Sequence, residues 1–176
     1  MFDLPFYGYV LGFIHDFVLK SIVGVPAEIW WFPACVLLVL AATAAIDTFT
    51  ARIPDLMILP GIIATVMLAG QYVSWTFALH NFAYGVASYF LVWFLNFLWY
   101  LAFKRDALGL GDAKWTMMAV SAFGILPVAV AWGIGAWLAL VWIFMAKVFR
   151  RPIPYVHFAP FLFAGLVGGL WWVRMR

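Results

Sequence analysis

The chain has 176 residues, of which 68% are hydrophobic, 20% aromatic and only 10% charged, with a net charge of +3. A soluble domain is roughly 45–50% apolar and about 25% charged, and a chain of this size cannot hide such an apolar excess in a water-soluble core. The composition therefore excludes a soluble enzyme, a disordered protein and a nucleic-acid binder, and the length suits one domain. The single cysteine, Cys35, lies in an apolar run. It reads as a small core residue, and it leaves no disulfide framework and no cysteine-based metal site within one chain.

Residues 4–25 are apolar but carry His15, Asp16 and Lys20. This stretch either spans the membrane or lies in the interface as an amphipathic helix. A cleaved signal peptide is not expected, because the start is not basic and Asp16 interrupts the apolar region. Residues 1–28 are accordingly set apart as an N-terminal interfacial or membrane helix, ahead of a transmembrane domain over 29–176.

A membrane-spanning helix needs about 20 mostly apolar residues. Residues 30–46 form the first such run of the domain, ending at Asp47. Residues 56–75 form the second, and 82–103 the third, which ends at Lys104-Arg105. A shorter fourth run spans 112–126, where Pro127 is expected to break it. Residues 128–149 form the fifth, stopped by Arg150-Arg151-Pro152, and 158–173 the sixth, stopped by Arg174. The expected fold class is an all-α polytopic membrane protein with about six transmembrane helices plus the N-terminal apolar or amphipathic helix. Gly8/Gly12 and Gly165/Gly169 have a spacing that lets helices approach closely, although chance supplies it too in a chain with 14 glycines.

The basic residues orient these runs. Arg52, Lys104, Arg105, Lys114, Lys147, Arg150 and Arg151 fall on one side, against Arg174 and Arg176 on the other. That bias assigns the first side to the cytoplasm. Trp30, Trp31, Trp75, Trp171 and Trp172 then gather at the far interface, with Trp99 and Trp115 near the cytoplasmic one.

With only seven acidic residues, each can be weighed. Asp47 and Asp112 both sit at the cytoplasmic end of a transmembrane run. An ionised carboxylate at membrane depth is costly, which makes such an acid a functional candidate. Two carboxylates within reach share one proton; the ionised member can take a proton from water while the other donates to a carbonyl oxygen. That is what metal-free hydrolysis of an amide requires. Each acid also has a plain structural reading. Asp112 can simply cap a helix, and Asp47 can end a span at the headgroups. Gly109 and Gly111 allow backbone conformations closed to other residues and a close approach by an extended peptide. Asp55 and Asp106 read as solvated loop charges. His157, between Pro154 and Pro160, reads as a loop or interface histidine, and three scattered histidines make no metal site, so no metal or cofactor is expected.

Asp47-Thr-Phe-Thr-Ala-Arg-Ile-Pro-Asp55 resembles the first motif of the type IV prepilin peptidases, and Gly109-Leu-Gly-Asp-Ala-Lys114 their second, the Gly-x-Gly-Asp signature. Residues 153–165 resemble the entry to the family's last helix. The resemblance covers most of the chain. It implies an intramembrane aspartyl endopeptidase of the inner (cytoplasmic) membrane. Such an enzyme would cleave basic leader peptides from prepilins, Flp pilins, pseudopilins or preflagellins at the cytoplasmic face, after a glycine preceding the substrate's hydrophobic helix. Asp47 and Asp112 carry over as the catalytic pair and Gly109 and Gly111 as the motif glycines. Lys114, Arg52 and Pro54 match in place. The implied partners are the substrate protein and the bilayer, with no nucleic acid.

The first motif often has Asn after Ile-Pro, where this chain has Asp55. The large members' N-terminal domain with paired cysteines, and the methylation that goes with it, are not expected here; the chain resembles the small type serving tight-adherence (Flp) pili or preflagellins. The presenilin relatives also use Gly-x-Gly-Asp, but with a Tyr-Asp and a Pro-Ala-Leu motif. Here Ile46 precedes Asp47 and Pro-Ala-Leu does not occur. A non-enzymatic alternative is a proton-coupled carrier using the two acids as a relay, which should place them near the bilayer midplane.

Overall fold

The computed structural model describes residues 31–50, 52–104, 109–149 and 156–174. The proposed N-terminal helix, His15, Asp106 and the Gly8/Gly12 pair lie outside them. Among the described residues there are six α-helices and no strand: α1 Trp31–Thr50, α2 Asp55–Tyr72, α3 Trp75–Phe103, α4 Leu110–Phe123, α5 Ile125–Val148 and α6 Ala159–Arg174. Four of them, α1, α2, α3 and α5, are long and apolar enough to cross a membrane. The protein is a polytopic helical membrane protein.

The bundle is built around α4. Ten of its 14 residues are buried, against three of 29 in α3. It packs against α1, α2, α3 and α5, and α6 closes the arrangement by pairing with α5 and α1. The outer surface is apolar: Phe90, Trp93, Phe97, Trp137, Trp142 and Phe144 are all exposed. In a bilayer that surface faces acyl chains, and the interior is where polar groups can be placed. The buried hydroxyls satisfy themselves locally. Thr43 donates to Leu40 O, Thr65 to Gly61 O, Thr116 to Asp112 O and Ser121 to Met117 O, at 2.7–3.0 Å. One longer tie crosses between helices: the fully buried Trp115 donates from Nε1 to Leu40 O at 3.2 Å, fastening α4 to α1.

Several boundaries differ from the sequence expectation, each for a local reason. Helix α3 begins at Trp75, because the Ser74 hydroxyl accepts from Phe77 N at 3.1 Å and caps it. His80 and Asn81 therefore lie inside the helix, and His80 Nδ1 makes a contact with Thr76 O one turn back. The break after α4 falls at Gly124, not Pro127. Gly124 has φ 82° and ψ 173°, a region essentially closed to side chains. Pro127 sits in the first turn of α5, where a missing N–H costs nothing.

Two side-chain expectations also change, and one open reading resolves. Cys35 is exposed, because the buried stripe of α1 (Phe32, Pro33, Val36, Leu40) runs along another face. Trp115 is fully buried and so cannot anchor an interface, whereas Trp31, Trp75 and Trp171 are exposed at the far end as expected. The Gly165/Gly169 spacing is structural: a Cβ on Gly169 would lie 2.5 Å from Pro127 O, and Gly165 packs as tightly on the Ala131 backbone.

Candidate active site

The buried stripe of α1 follows helical spacing through Val36, Leu40, Thr43 and Asp47. Asp47 is thus the last inward position of the stripe, only 8% exposed, and the helix continues to Thr50 beyond it. Thr48 and Thr50 help carry that final turn by donating to Ala44 O and Ile46 O. Asp47 therefore ends the buried stripe facing into the bundle, one turn before the helix ends.

Asp112 is the third residue of α4, also 8% exposed, and its Oδ2 accepts from Gly109 N at 3.2 Å. It does cap the helix, from inside the first turn, and the same bond fixes its carboxylate. The two acids lie within electrostatic range of one another.

A cavity of about 710 Å³ opens at this end of the bundle. The last turn of α1 contributes Ile46, Asp47 and Thr50, and the connection to α2 contributes Arg52, Ile53 and Pro54. Asp55 at the head of α2 and the start of α4, from Gly109 to Asp112 with Lys114, complete it. All seven residues singled out from the two motifs therefore line one cavity: Arg52, Asp47, Pro54, Gly109, Gly111, Asp112 and Lys114.

The glycines do not use the backbone freedom expected of them. Neither has a positive φ. Gly109 has φ −75° and ψ 149°, open to any residue, and a Cβ there would meet Asp112 Oδ2 at an ordinary 3.6 Å. Gly111 is needed for proximity: a Cβ would stand 3.0–3.2 Å from three side-chain carbons of Ile53. Gly111 thus lets the second motif seat against the first. Lys114 Nζ reaches Asp55 Oδ1 at 2.6 Å, a second tie between the motifs. Both groups are partly exposed, so the pair contributes about 0–1 kcal/mol. It also gives Asp55 a partner within the chain.

The entry to α6 was not anticipated as part of the site. His157 Nδ1 lies 4.0 Å from Asp47 Oδ2, and the backbone amide of Ala159 is directed at the same carboxylate. No signal in the sequence beyond the position of His157 near a helix start pointed to this. Among the described residues no cluster of three or more His, Cys, Asp or Glu could hold a metal ion.

Fold and site together define a class: a multi-helix membrane protein whose buried acids share a cavity at one end of the bundle. Within that class, a model of the type IV leader peptidase family matches residues 34–173. The match covers most of the chain, including both motifs, and the chain belongs to the type IV leader peptidase family. No curated protein and no solved structure gives a significant match.

Proposed function

We propose that the protein is an intramembrane aspartyl endopeptidase that removes the basic leader from type IV prepilin-like substrates, with Asp47 and Asp112 as its catalytic pair. One observation carries the reading: two acids far apart in the chain are both buried and line the same cavity. Membership of a leader peptidase family supplies the substrate class. Residues 29–176 form the peptidase unit of this reading. The positive-inside bias assigns the cavity to the cytoplasmic face of the inner membrane.

In the proposed reaction, the leader end of the substrate's hydrophobic helix unwinds beside Gly109 and Gly111. The ionised acid takes a proton from water, and the resulting hydroxide adds to the scissile carbonyl carbon. The protonated acid donates to the carbonyl oxygen, giving a neutral diol. The first acid, now protonated, gives its proton to the amide nitrogen. The C–N bond breaks, and a diol proton returns to the second acid. No metal and no covalent intermediate takes part.

A carrier would want its acids near mid-membrane. Asp47 lies within a turn of the end of α1 and Asp112 in the first turn of α4, which favours the peptidase. The test is cleavage in membranes, with a prepilin bearing a Lys/Arg-rich leader co-expressed with wild type, Asp47→Asn or Asp112→Asn. Wild type is expected to shorten the substrate, and each variant to insert normally yet lose on the order of a thousandfold or more in rate. A single Asn variant that cleaves like wild type would sink the pair.

A further inference from the structure

The entry to α6 supplies a group that the two motifs do not contain. His157 precedes the helix, and its side chain is 32% exposed while that of Asp47 is 12% exposed. The 4.0 Å between Nδ1 and Oδ2 is charge-pair distance and too long for a hydrogen bond. From the same turn, the Ala159 amide faces the Asp47 carboxylate. It belongs to the first turn of α6, whose N–H groups have no partner within the helix.

The turn is also tied, through α5, to the helix that carries the other acid. The Phe158 ring packs on Trp132, with centroids 5.2 Å apart. Trp132 Nε1 donates to Thr116 Oγ1 at 3.1 Å, and that hydroxyl donates to Asp112 O at 2.7 Å. Residues 157–159 are therefore held between the helix of Asp47 and the helix of Asp112.

We infer that His157 is a positioning residue for the Asp47 carboxylate, held beside it by the α6 entry turn. The inference rests on the proposed catalytic role of Asp47. The group facing Asp47 from α4 is Asp112; the group facing it from α6 is His157. Without the imidazole, Asp47 keeps the Ala159 amide on that side but loses its charged neighbour, and can rotate out of line with the water it must activate. A small misplacement of a reacting group costs on the order of tenfold to a hundredfold in rate.

The test uses the full chain in membranes and the same prepilin, with His157→Ala, His157→Gln and His157→Lys. Gln keeps a polar side chain without a charge, whereas Lys carries a cation toward Asp47. His157→Ala is expected to lower kcat by about tenfold or more with KM within about twofold of wild type. His157→Lys is expected to recover part of that loss and His157→Gln little of it. A wild-type rate for His157→Ala overturns the inference. So does a change confined to KM, or an inserted His157→Lys as slow as Ala. Asp47→Asn and Asp112→Asn run in parallel separate the two claims. If they are inactive while His157→Ala is unimpaired, only the role of His157 falls. If they cleave normally, the peptidase reading itself falls.

Discussion

The two glycines of the second motif look equivalent in the sequence but are constrained differently. Gly111 faces Ile53 closely enough that a methyl group displaces the Ile53 side chain of the first motif by a few tenths of an ångström, whereas Gly109 has ordinary space and an ordinary backbone conformation. Gly111→Ala is therefore expected to reduce cleavage by about tenfold, on the scale of a small displacement between reacting groups. Gly109→Ala should stay within about threefold, because its Cβ requires no movement of either motif. Initial rates of prepilin cleavage for the two variants, normalised to inserted protein, check the contrast. Equal effects would mean that the glycines serve the approach of the substrate and not the packing of the two motifs.

At the scale of the element, α5 and α6 pack backbone to backbone, and those contacts set their separation. Gly135 packs on Phe161 O, Gly165 on Ala131 and Gly169 on Pro127 O. A Cβ at residue 169 would meet a carbonyl oxygen, which cannot swing aside as the end of a side chain can. Gly169→Ala is expected to destabilise the protein by about 1–3 kcal/mol, the usual cost of overpacking. Thermal unfolding in detergent micelles should report it as a lower midpoint. Gly133, whose Cβ would meet nothing within 4 Å, is the control: Gly133→Ala should leave the midpoint unchanged or slightly raised. Since α6 also carries the turn beside Asp47, loosening this pair should lower cleavage together with stability.

For the molecule as a whole, helix lengths explain why the cavity lies at one end. The 14 residues of α4 span about 21 Å, less than the roughly 30 Å hydrocarbon core, while the 29 residues of α3 span about 44 Å. A short central helix among longer neighbours leaves a recess where it begins, and α4 begins at the Gly-x-Gly-Asp motif. In the orientation proposed from the basic residues, that recess faces the cytoplasm. A Thr50→Cys substitution in a Cys35→Ser background puts a thiol at the rim of the cavity. A membrane-impermeant maleimide should label it in inverted membrane vesicles and not in intact cells. Labelling of intact cells alone would reverse the orientation and contradict cleavage of a cytoplasmic leader.

Some of this was open to inspection in the sequence alone. An apolar composition with six apolar runs, most of them long, determines a helical membrane protein, because a bilayer requires backbone groups to be satisfied within each span. Few charges are tolerated in such runs, so Asp47 and Asp112 stand out, and their flanking motifs carry the family. Helix ends were less legible. A capping Ser74 and a positive-φ Gly124 decide where α3 starts and α4 stops, while apolar periodicity registers neither. What only the tertiary structure decided is which groups meet. Burial of Asp47 depends on its place in the inward stripe of α1, and the need for Gly111 depends on Ile53, far away in the chain. The contact of His157 with Asp47 depends on α6 packing against α1. Hydropathy is a property of each segment by itself, whereas a contact between segments exists only once the helices have packed.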